Sequence, residues 1–548
     1  MLIFFKIIIT NLYFFLYGKI INKYYFENNK NSNTELAIYG AIFVSFLALL
    51  INFFLPLNKT IATIIFIIPF FFLLKENLLL KKDFNFLLVS SFCVFLLIAF
   101  SNINRPDAGL YHLPYVQILN ENKIIIGLSN LHIRFGHISI IQYLSAINNN
   151  YITGVNGILI PLASLATFIF IYFVSESLNF IKNNNELKIN NIFCLFVLIY
   201  ICFKINRYSG FGNDATAHLL FFYLISIFLK SQINYYQLNR ISIIATYIFL
   251  NKVTLILAFI FPLIAFLNLK KNKFKILYSF STWLILIWLL KNILISGCFV
   301  YPINKTCVYK LSWANQSETI KQNISAEAWA KGWPQKLDNS ITQKEFSKSF
   351  NWIKAWSSNH LIYLLKIIIP YILFLMIILF LINYYKKDNL IKFLTDKKDK
   401  QKIFYSLLIC SFGVLLFFLK FPLFRYGYSY LISLIIFLTS LLILSYDLSI
   451  VKKIFKYTLV FSLLIISSKQ LIRIKNNFDT HSIWPNIEAH SPHKKNLQIT
   501  EVFLNDNFKV FISKGECMYV KAPCTNSFKK NILHKALLNY DVIFFKEN

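Results

Sequence analysis

The stretch "LIYLLKIIIPYILFLMIILFLI", residues 361–382, runs for twenty-two residues with Lys366 as its one charge. A bilayer core about 30 Å thick is crossed by roughly 20 apolar residues in a helix, so this segment reads as a membrane span. The rest of the chain repeats the pattern. Of its 548 residues 57% are hydrophobic and only 15% charged, against about 25% charged in soluble domains. Apolar runs at 3–22, 36–56, 58–76, 84–101, 151–176, 191–206, 214–231, 241–268, 276–295, 360–385, 403–420, 427–446 and 454–470 are the candidate spans. The fold class is therefore an all-α polytopic membrane protein. Residues 1–22 read as a first span or an interfacial helix, with no small-residue cleavage site after them.

The formal net charge is +32. Lysine clusters between spans explain it as orientation signals on the cytoplasmic side, and nucleic acid is not an expected partner. The densest short basic loop is 386–402, "KKDNLIKFLTDKKDKQK". Counting outward from it places the links at 75–82, 182–188, 230–240, 270–275 and 452–456 on the same side; all carry Lys or Arg. The count requires 241–268 to cross twice, as two half-helices with Asn251 and Lys252 at their apex; a single tilted helix is the rival reading. The resulting organisation is spans over 1–101, a first outer loop at 102–150, spans over 151–295, an outer loop at 296–359, spans over 360–470 and a small extracytoplasmic tail at 471–548.

Against this background "DAGLYHLPYVQILNENKIIIGLSNLHIRFGH", residues 107–137, is unusual, because it gathers Asp107, His112, Glu121, His132, Arg134 and His137. Helical spacing over 108–121 and 136–148 predicts two interfacial helices, with Tyr111, Pro114, Tyr115, Ile118 and Leu119 as one buried stripe. Asp107 reads either as a helix cap or as a catalytic carboxylate. His112, His132 and His137 match no compact metal site; metal ligand, proton carrier and surface residue are open readings, and each alone reads rather as a hydrogen-bonding or phosphate-facing residue. Arg134 offers a planar, permanently charged fork suited to phosphate. Arg207 and Asp214 flank a second outer piece, 207–213, and charges at span ends are often functional. Lys252, inside an apolar run, needs a partner: a charged ligand, or Asp107 or Asp214. Lys291 and Arg425 are further cations near the outer ends of spans. The outer cations are expected to collect on one face with the two carboxylates. Cys298 with Cys307 and Cys517 with Cys524 form two close pairs in outer segments, read as disulfides or as free thiols; zinc is disfavoured for lack of a second pair. Cys93, Cys194, Cys202 and Cys410 lie inside spans.

An Asp early in the first large outer loop, followed by a second acidic loop and many spans, resembles the GT-C superfamily of multi-pass glycosyltransferases. The segments "DAGLYHLPYVQ", "GLSNLHIRFG", "KNILISGCFVYP", "FRYGYSYL" and "CMYVKAPCT", in that order, resemble an uncharacterised bacterial family of such proteins with a Pro-Cys-Thr tail. The resemblance implies a GT-C-like helical bundle with interfacial helices in the first outer loop and a small α/β C-terminal outer domain. It implies Asp107 as the base on an acceptor hydroxyl, Asp214 as the second acidic position, and Arg134, Lys252, Lys291 and Arg425 as phosphate contacts, with the three histidines in support. It implies a polyprenyl-phosphate-linked sugar as donor, a lipid or glycan acceptor, inversion at the anomeric carbon, and a site facing the periplasm from the bacterial inner membrane. Ala108 after Asp107 breaks the usual paired-acid signature, so the need for a divalent cation stays open and no cofactor is assigned. The rival expectations are a transporter or flippase for a lipid-linked glycan, and a membrane assembly protein without catalysis.

Overall fold

The computed structural model describes residues 2–26, 31–75, 81–101, 107–183, 187–204, 214–230, 232–269, 273–333, 341–348, 350–385, 397–444, 446–488, 498–505, 508–529 and 531–546. Arg207, its loop, and most of the basic loop 386–402 lie outside these residues.

Every apolar run becomes helix. Four helices open the chain: α1 (Leu2–Tyr24), α2 (Asn33–Asn52), α3 (Lys59–Lys75) and α4 (Lys81–Ile98). Ser32 and Glu35 start α2 with a capping box. The first outer loop holds a π-turn (Ala108–His112), α5 (Leu113–Glu121) and α6 (Ile141–Ile147). Then come α7 (Ile160–Asn183), α8 (Ile189–Lys204), α9 (Asp214–Lys230), α10 (Tyr235–Asn251), α11 (Ile260–Asn268) and α12 (Phe280–Ser296). The second large loop carries the short α13 (Gln316–Ala330), α14 (Gln343–Lys348) and α15 (Trp352–Trp356). The last helices are α16 (Ile362–Tyr384), α17 (Lys397–Lys420), α18 (Phe424–Ile443) and α19 (Leu448–Asn477).

Six helical segments among the described residues are long and apolar enough to cross a membrane: Leu2–Tyr24, Asn33–Asn52, Val155–Lys182, Trp352–Tyr384, Asp399–Lys420 and Phe424–Ile443. Several others are apolar but shorter, among them Ile189–Lys204 and Phe280–Ser296. The architecture is that of a helical protein compatible with multiple membrane passes. On α16, Ile368, Tyr371, Leu375, Ile378 and Ile382 pack inward, while Ile369, Leu373, Met376, Ile377 and Phe380 stay uncovered. A helix apolar on all sides with one face uncovered suits lipid, since water would leave that face unpaid. The run 241–268 is broken as expected: α10 ends at Asn251, Lys252 adopts extended backbone, a 3-10 turn covers Val253–Phe259, and α11 folds back against α10.

Two expectations change. The segment 108–121 is not an amphipathic surface helix: α5 is buried from Leu113 to Asn120, and α6 is buried throughout. Tail residues and neighbouring helices cover both, and apolar spacing alone does not reveal such a cover. The tail, moreover, carries no helix among its described residues beyond the end of α19. It is β1 (Ile499–Asn505) antiparallel to β2 (Phe508–Ser513), β3 (Cys524–Thr525) parallel to β2, and a hairpin of β4 (Ile532–Leu537) and β5 (Tyr540–Phe545). Ile126 of the first outer loop bridges to β5: its N–H donates to Asp541 O at 2.9 Å and its carbonyl accepts from Ile543 N at 2.9 Å. Both outer cysteine pairs are disulfides, and the other four cysteines are free.

The N-terminal helices cross without room for a side chain. A Cβ on Gly40 would sit 1.8 Å from Phe14 O, and one on Gly18 1.8 Å from Leu36 O. Both obstacles are backbone, so a methyl must push α1 and α2 apart. Overpacking of this kind costs about 1–3 kcal/mol. Gly40→Val is therefore expected to lower the melting temperature of the detergent-solubilised protein by several degrees, while Ala37→Gly lowers it less; equal melting curves for Gly40→Val and wild type would contradict the close crossing.

Candidate functional site

Five of the charged residues singled out from the sequence meet at one end of the bundle. The π-turn begins directly after Asp107, and the Asp107 side chain makes no capping hydrogen bond. Its carboxylate instead takes Arg425 Nη1 at 3.3 Å, with both side chains about half exposed (44% and 53%). Arg425 is the second residue of α18, and its Nη2 donates to Tyr426 Oη at 3.2 Å. Lys252, at the break after α10, is ion-paired with Asp214 at the start of α9, and this pair is largely buried. The Lys252 ammonium also lies 4.3 Å from the Tyr426 ring centroid. Tyr426 thus stands between the two ion pairs. Arg134 closes the group from the first outer loop, 6.0 Å from the Tyr111 ring.

The scaffold that sets these groups is hydrogen-bonded throughout. His218, one turn after Asp214, donates from Nε2 to Arg425 O at 2.9 Å and accepts at Nδ1 from Ser429 Oγ at 2.7 Å. Thr254 Oγ1 donates to Tyr426 O at 3.1 Å, which ties the 3-10 turn to α18. Gln142 Nε2 donates to His112 Nδ1 at 2.8 Å, and Ser139 Oγ holds the Gln142 carbonyl at 2.6 Å.

The loop histidines are neutral. Burial brings His112 down to about 4, against the pull of Asp107 and Asp214 and with the push of Arg425 and Lys252. Burial and then Arg134 bring His132 to about 4 and His137 to about 3. None of the three is a surface residue carrying charge at neutral pH. His132 Nδ1 accepts from Arg134 N at 3.1 Å, while His137 Nε2 is buried without a hydrogen-bond partner among the described residues. Burial first, then Asp107, keeps the Tyr111 phenol protonated.

Lys291 does not join the site. It lies on the inward stripe Ser281, Leu284, Trp288, Lys291, Ile295 of α12 and is fully buried. Its ammonium rests 3.5 Å from the Trp288 ring centroid, with no hydrogen-bond partner among the described residues. Proximity to a span end suggested an outward cation; the helical phase turns it inward. Nor do the charges gather at one end alone. Glu35 and Arg240 form a second buried ion pair with Tyr39 as a further partner, and Lys19 pairs with Asp83 at 2.7 Å. Among the described residues no cluster of three His, Cys, Asp or Glu side chains could hold a metal ion.

Tyr426 and His218 were not picked out from the sequence, although Tyr426 adjoins Arg425 and His218 follows Asp214 by four residues, on the same helix face; Tyr111 was read only as part of a buried stripe.

Fold and site together define a mostly helical protein, with helices fit to span a membrane and a cluster of charged side chains near a small β tail. Residues 1–432 match the model of a family described as a domain of unknown function, DUF8201, and the chain belongs to that family. The match takes in Asp107, Arg134, Asp214, Lys252 and Arg425. No curated protein and no solved structure matches the chain.

Two measurements follow from the electrostatics. Removing one member of a buried ion pair strands the other, at about 3–5 kcal/mol. Lys252→Met is expected to cost that much, and Lys252→Met with Asp214→Asn to regain most of it, read by thermal unfolding in detergent. The histidines add a pH dependence. Their folded pKa values lie below the ordinary 6.5, so as pH falls from about 6.5 towards 4 the unfolded chain binds protons that the folded one refuses. Stability should be flat above pH 7 and fall through that window, with a shallower fall in His112→Gln.

Proposed function

We propose that this protein is a membrane glycosyltransferase of the GT-C type, moving a sugar from a polyprenyl-phosphate donor to an acceptor hydroxyl on the extracytoplasmic face. The observation that carries the reading is the exchangeable pair Asp107–Arg425 beside the fixed pair Asp214–Lys252. A half-exposed ion pair is worth at most about 1 kcal/mol, so a phosphate can take Arg425 from Asp107 at little cost. The guanidinium fork matches phosphate oxygens, and Arg134 faces the same space. Loss of its partner leaves the Asp107 carboxylate free to accept a proton from an acceptor hydroxyl. Donor binding thereby arms the base.

The step balances. The acceptor oxygen bonds to the anomeric carbon, the bond from that carbon to the phosphate oxygen breaks, polyprenyl phosphate leaves with the electron pair, and the hydroxyl proton passes to Asp107. Arg425 and Lys252 stabilise the charge developing on the leaving phosphate. Tyr426, under both cations, holds them at a fixed separation, and neutral His112 and protonated Tyr111 form a floor that adds no competing charge. The bacterial inner membrane, with the site facing the periplasm, is the matching location.

The test compares envelope glycans and lipid extracts from wild-type, deletion and point-variant hosts by mass spectrometry. Asp107→Asn is expected to lose the same glycan as the deletion and to accumulate polyprenyl-phosphate sugar. Arg425→Lys keeps the charge but loses the fork, and should slow transfer about 10- to 100-fold, the equivalent of one charge-assisted hydrogen bond of roughly 1.5–3 kcal/mol. Glycans unchanged in the deletion strain would overturn the reading. Glycans lost in the deletion but intact in Asp107→Asn would favour transport or assembly.

A further inference from the structure

The tail segment "GECMYVKAPCT", residues 515–525, is seated on the turn that carries Asp107. The N–H groups of Cys517 and Met518 both donate to Gly109 O, at 3.0 and 2.9 Å. The tail side chains crowd Gly109: a Cβ there would lie 2.2 Å from Glu516 Oε2 and 2.5 Å from Met518 Sδ, so both would have to move aside. Met518 holds φ at 53°, in the left-handed region that a non-glycine residue adopts only when its surroundings impose it. Further along, Tyr519 Oη donates to Asn120 Oδ1 at 2.9 Å and accepts from Asn149 Nδ2 at 2.6 Å. Ala522 N–H reaches the Glu121 carboxylate, and Thr525 Oγ1 donates to Leu131 O at 3.3 Å. The Cys517–Cys524 disulfide closes the loop that carries most of these contacts, and both its cysteines are fully buried.

We infer that this disulfide-closed loop is a clamp that positions Asp107. Gly109 and Met518 are its positioning residues, and opening the disulfide releases the base from its working geometry. The inference rests on the transfer reading for its effect on activity. The chain of contacts is short: Asp107 directly precedes the π-turn, Gly109 is the second residue of that turn, and the one carbonyl of Gly109 is held by two successive tail amides. A seven-residue separation closed by a disulfide is held near one conformation, whereas an open loop must order itself in each molecule. Arg425 and Lys252 are set by α18, α9 and the turn after α10, so the phosphate contacts do not pass through the clamp.

The experiment uses full-length protein in detergent, in a Cys298→Ser/Cys307→Ser background, so that the tail disulfide is the only one. It is treated with a phosphine reductant and then reoxidised. Hydrogen exchange of the amides in 108–121 is read by mass spectrometry. Transfer is read as polyprenyl phosphate released from the host's total lipid extract. Reduction is expected to speed exchange in 108–121 at least 10-fold while α18 is unchanged, and to lower kcat at least 10-fold with KM for the lipid donor within about 2-fold, both reversed by reoxidation. Cys517→Ser/Cys524→Ser should behave as the reduced protein, and its failure to fold would leave the reduction of folded protein to decide. Unchanged exchange in 108–121 after proven reduction, or unchanged kcat despite faster exchange, would overturn the clamp while leaving the transfer reading intact. Absence of transfer in every sample would count against the transfer reading, and exchange alone would then decide the clamp.

Discussion

A helix broken inside an apolar bundle leaves two problems, unpaired backbone groups and, here, a lysine. Each buried ion costs several kcal/mol of desolvation unless a partner is supplied. Asp214 supplies it, and the arrangement of this end of the bundle follows from that requirement. The pair binds the break after α10 to the start of α9. His218 on α9 then reaches the Arg425 carbonyl, and Thr254 in the turn reaches the Tyr426 carbonyl. The first turn of α18 is thereby fixed from two sides, which places Arg425 over the entrance of the first outer loop, within reach of Asp107.

The two ion pairs are alike in composition and opposite in physical character. Lys252–Asp214 is enclosed, so its separation is expensive and the pair behaves as part of the frame. Arg425–Asp107 is open to water, so its attraction is weak and its partners are replaceable. A site that binds an anion and then needs a free carboxylate requires both kinds. Two open pairs would leave the pocket without a fixed geometry, and two buried pairs would leave nothing for a ligand to exchange with.

Much of this was legible in the sequence, because burial of the backbone in an apolar medium forces helices, and helices declare themselves as long apolar runs. The break was legible too, since Asn251 and Lys252 interrupt an otherwise apolar stretch. Pairing was not. That Asp214 rather than Asp107 would take Lys252 depends on how α9 and α10 cross, which no local pattern encodes. Lys291 shows the limit from the other side: its distance from the helix end was legible, its helical phase relative to neighbours was not. The histidines stayed open between ligand, proton-carrying, hydrogen-bonding and surface roles because what covers this loop is distant in sequence: the His137 ring meets the Tyr301 ring at 5.2 Å, and Thr525 Oγ1 donates to Leu131 O beside His132. The tail's strands entered only through the resemblance, as part of an α/β domain, because they are short and mostly exposed on one side and so leave little alternating pattern to read.

Charge at both ends of the bundle bears on what the middle can do. Arg240 and Lys252 lie on the same helix and its cap, twelve positions apart, which at 1.5 Å per residue is about 18 Å. Between them α10 buries Ile241, Ile243, Ile244, Ala245, Ile248, Phe249 and Leu250, with Ser242, Thr246, Tyr247 and Asn251 as uncharged polar groups. Tyr247 is already bonded to Ser45 at 2.8 Å. A conduit for a charged headgroup would need replaceable cations along that length, because a phosphate cannot shed its hydration into hydrocarbon side chains. This helix offers it none. The Glu35–Arg240 pair, sealed by Tyr39, therefore acts as a fastener at one end, and the exchangeable chemistry is confined to the other. Confinement to one end fits the transfer proposed above, in which a lipid-linked donor would be taken up from the bilayer at the same boundary where the emptied lipid is released.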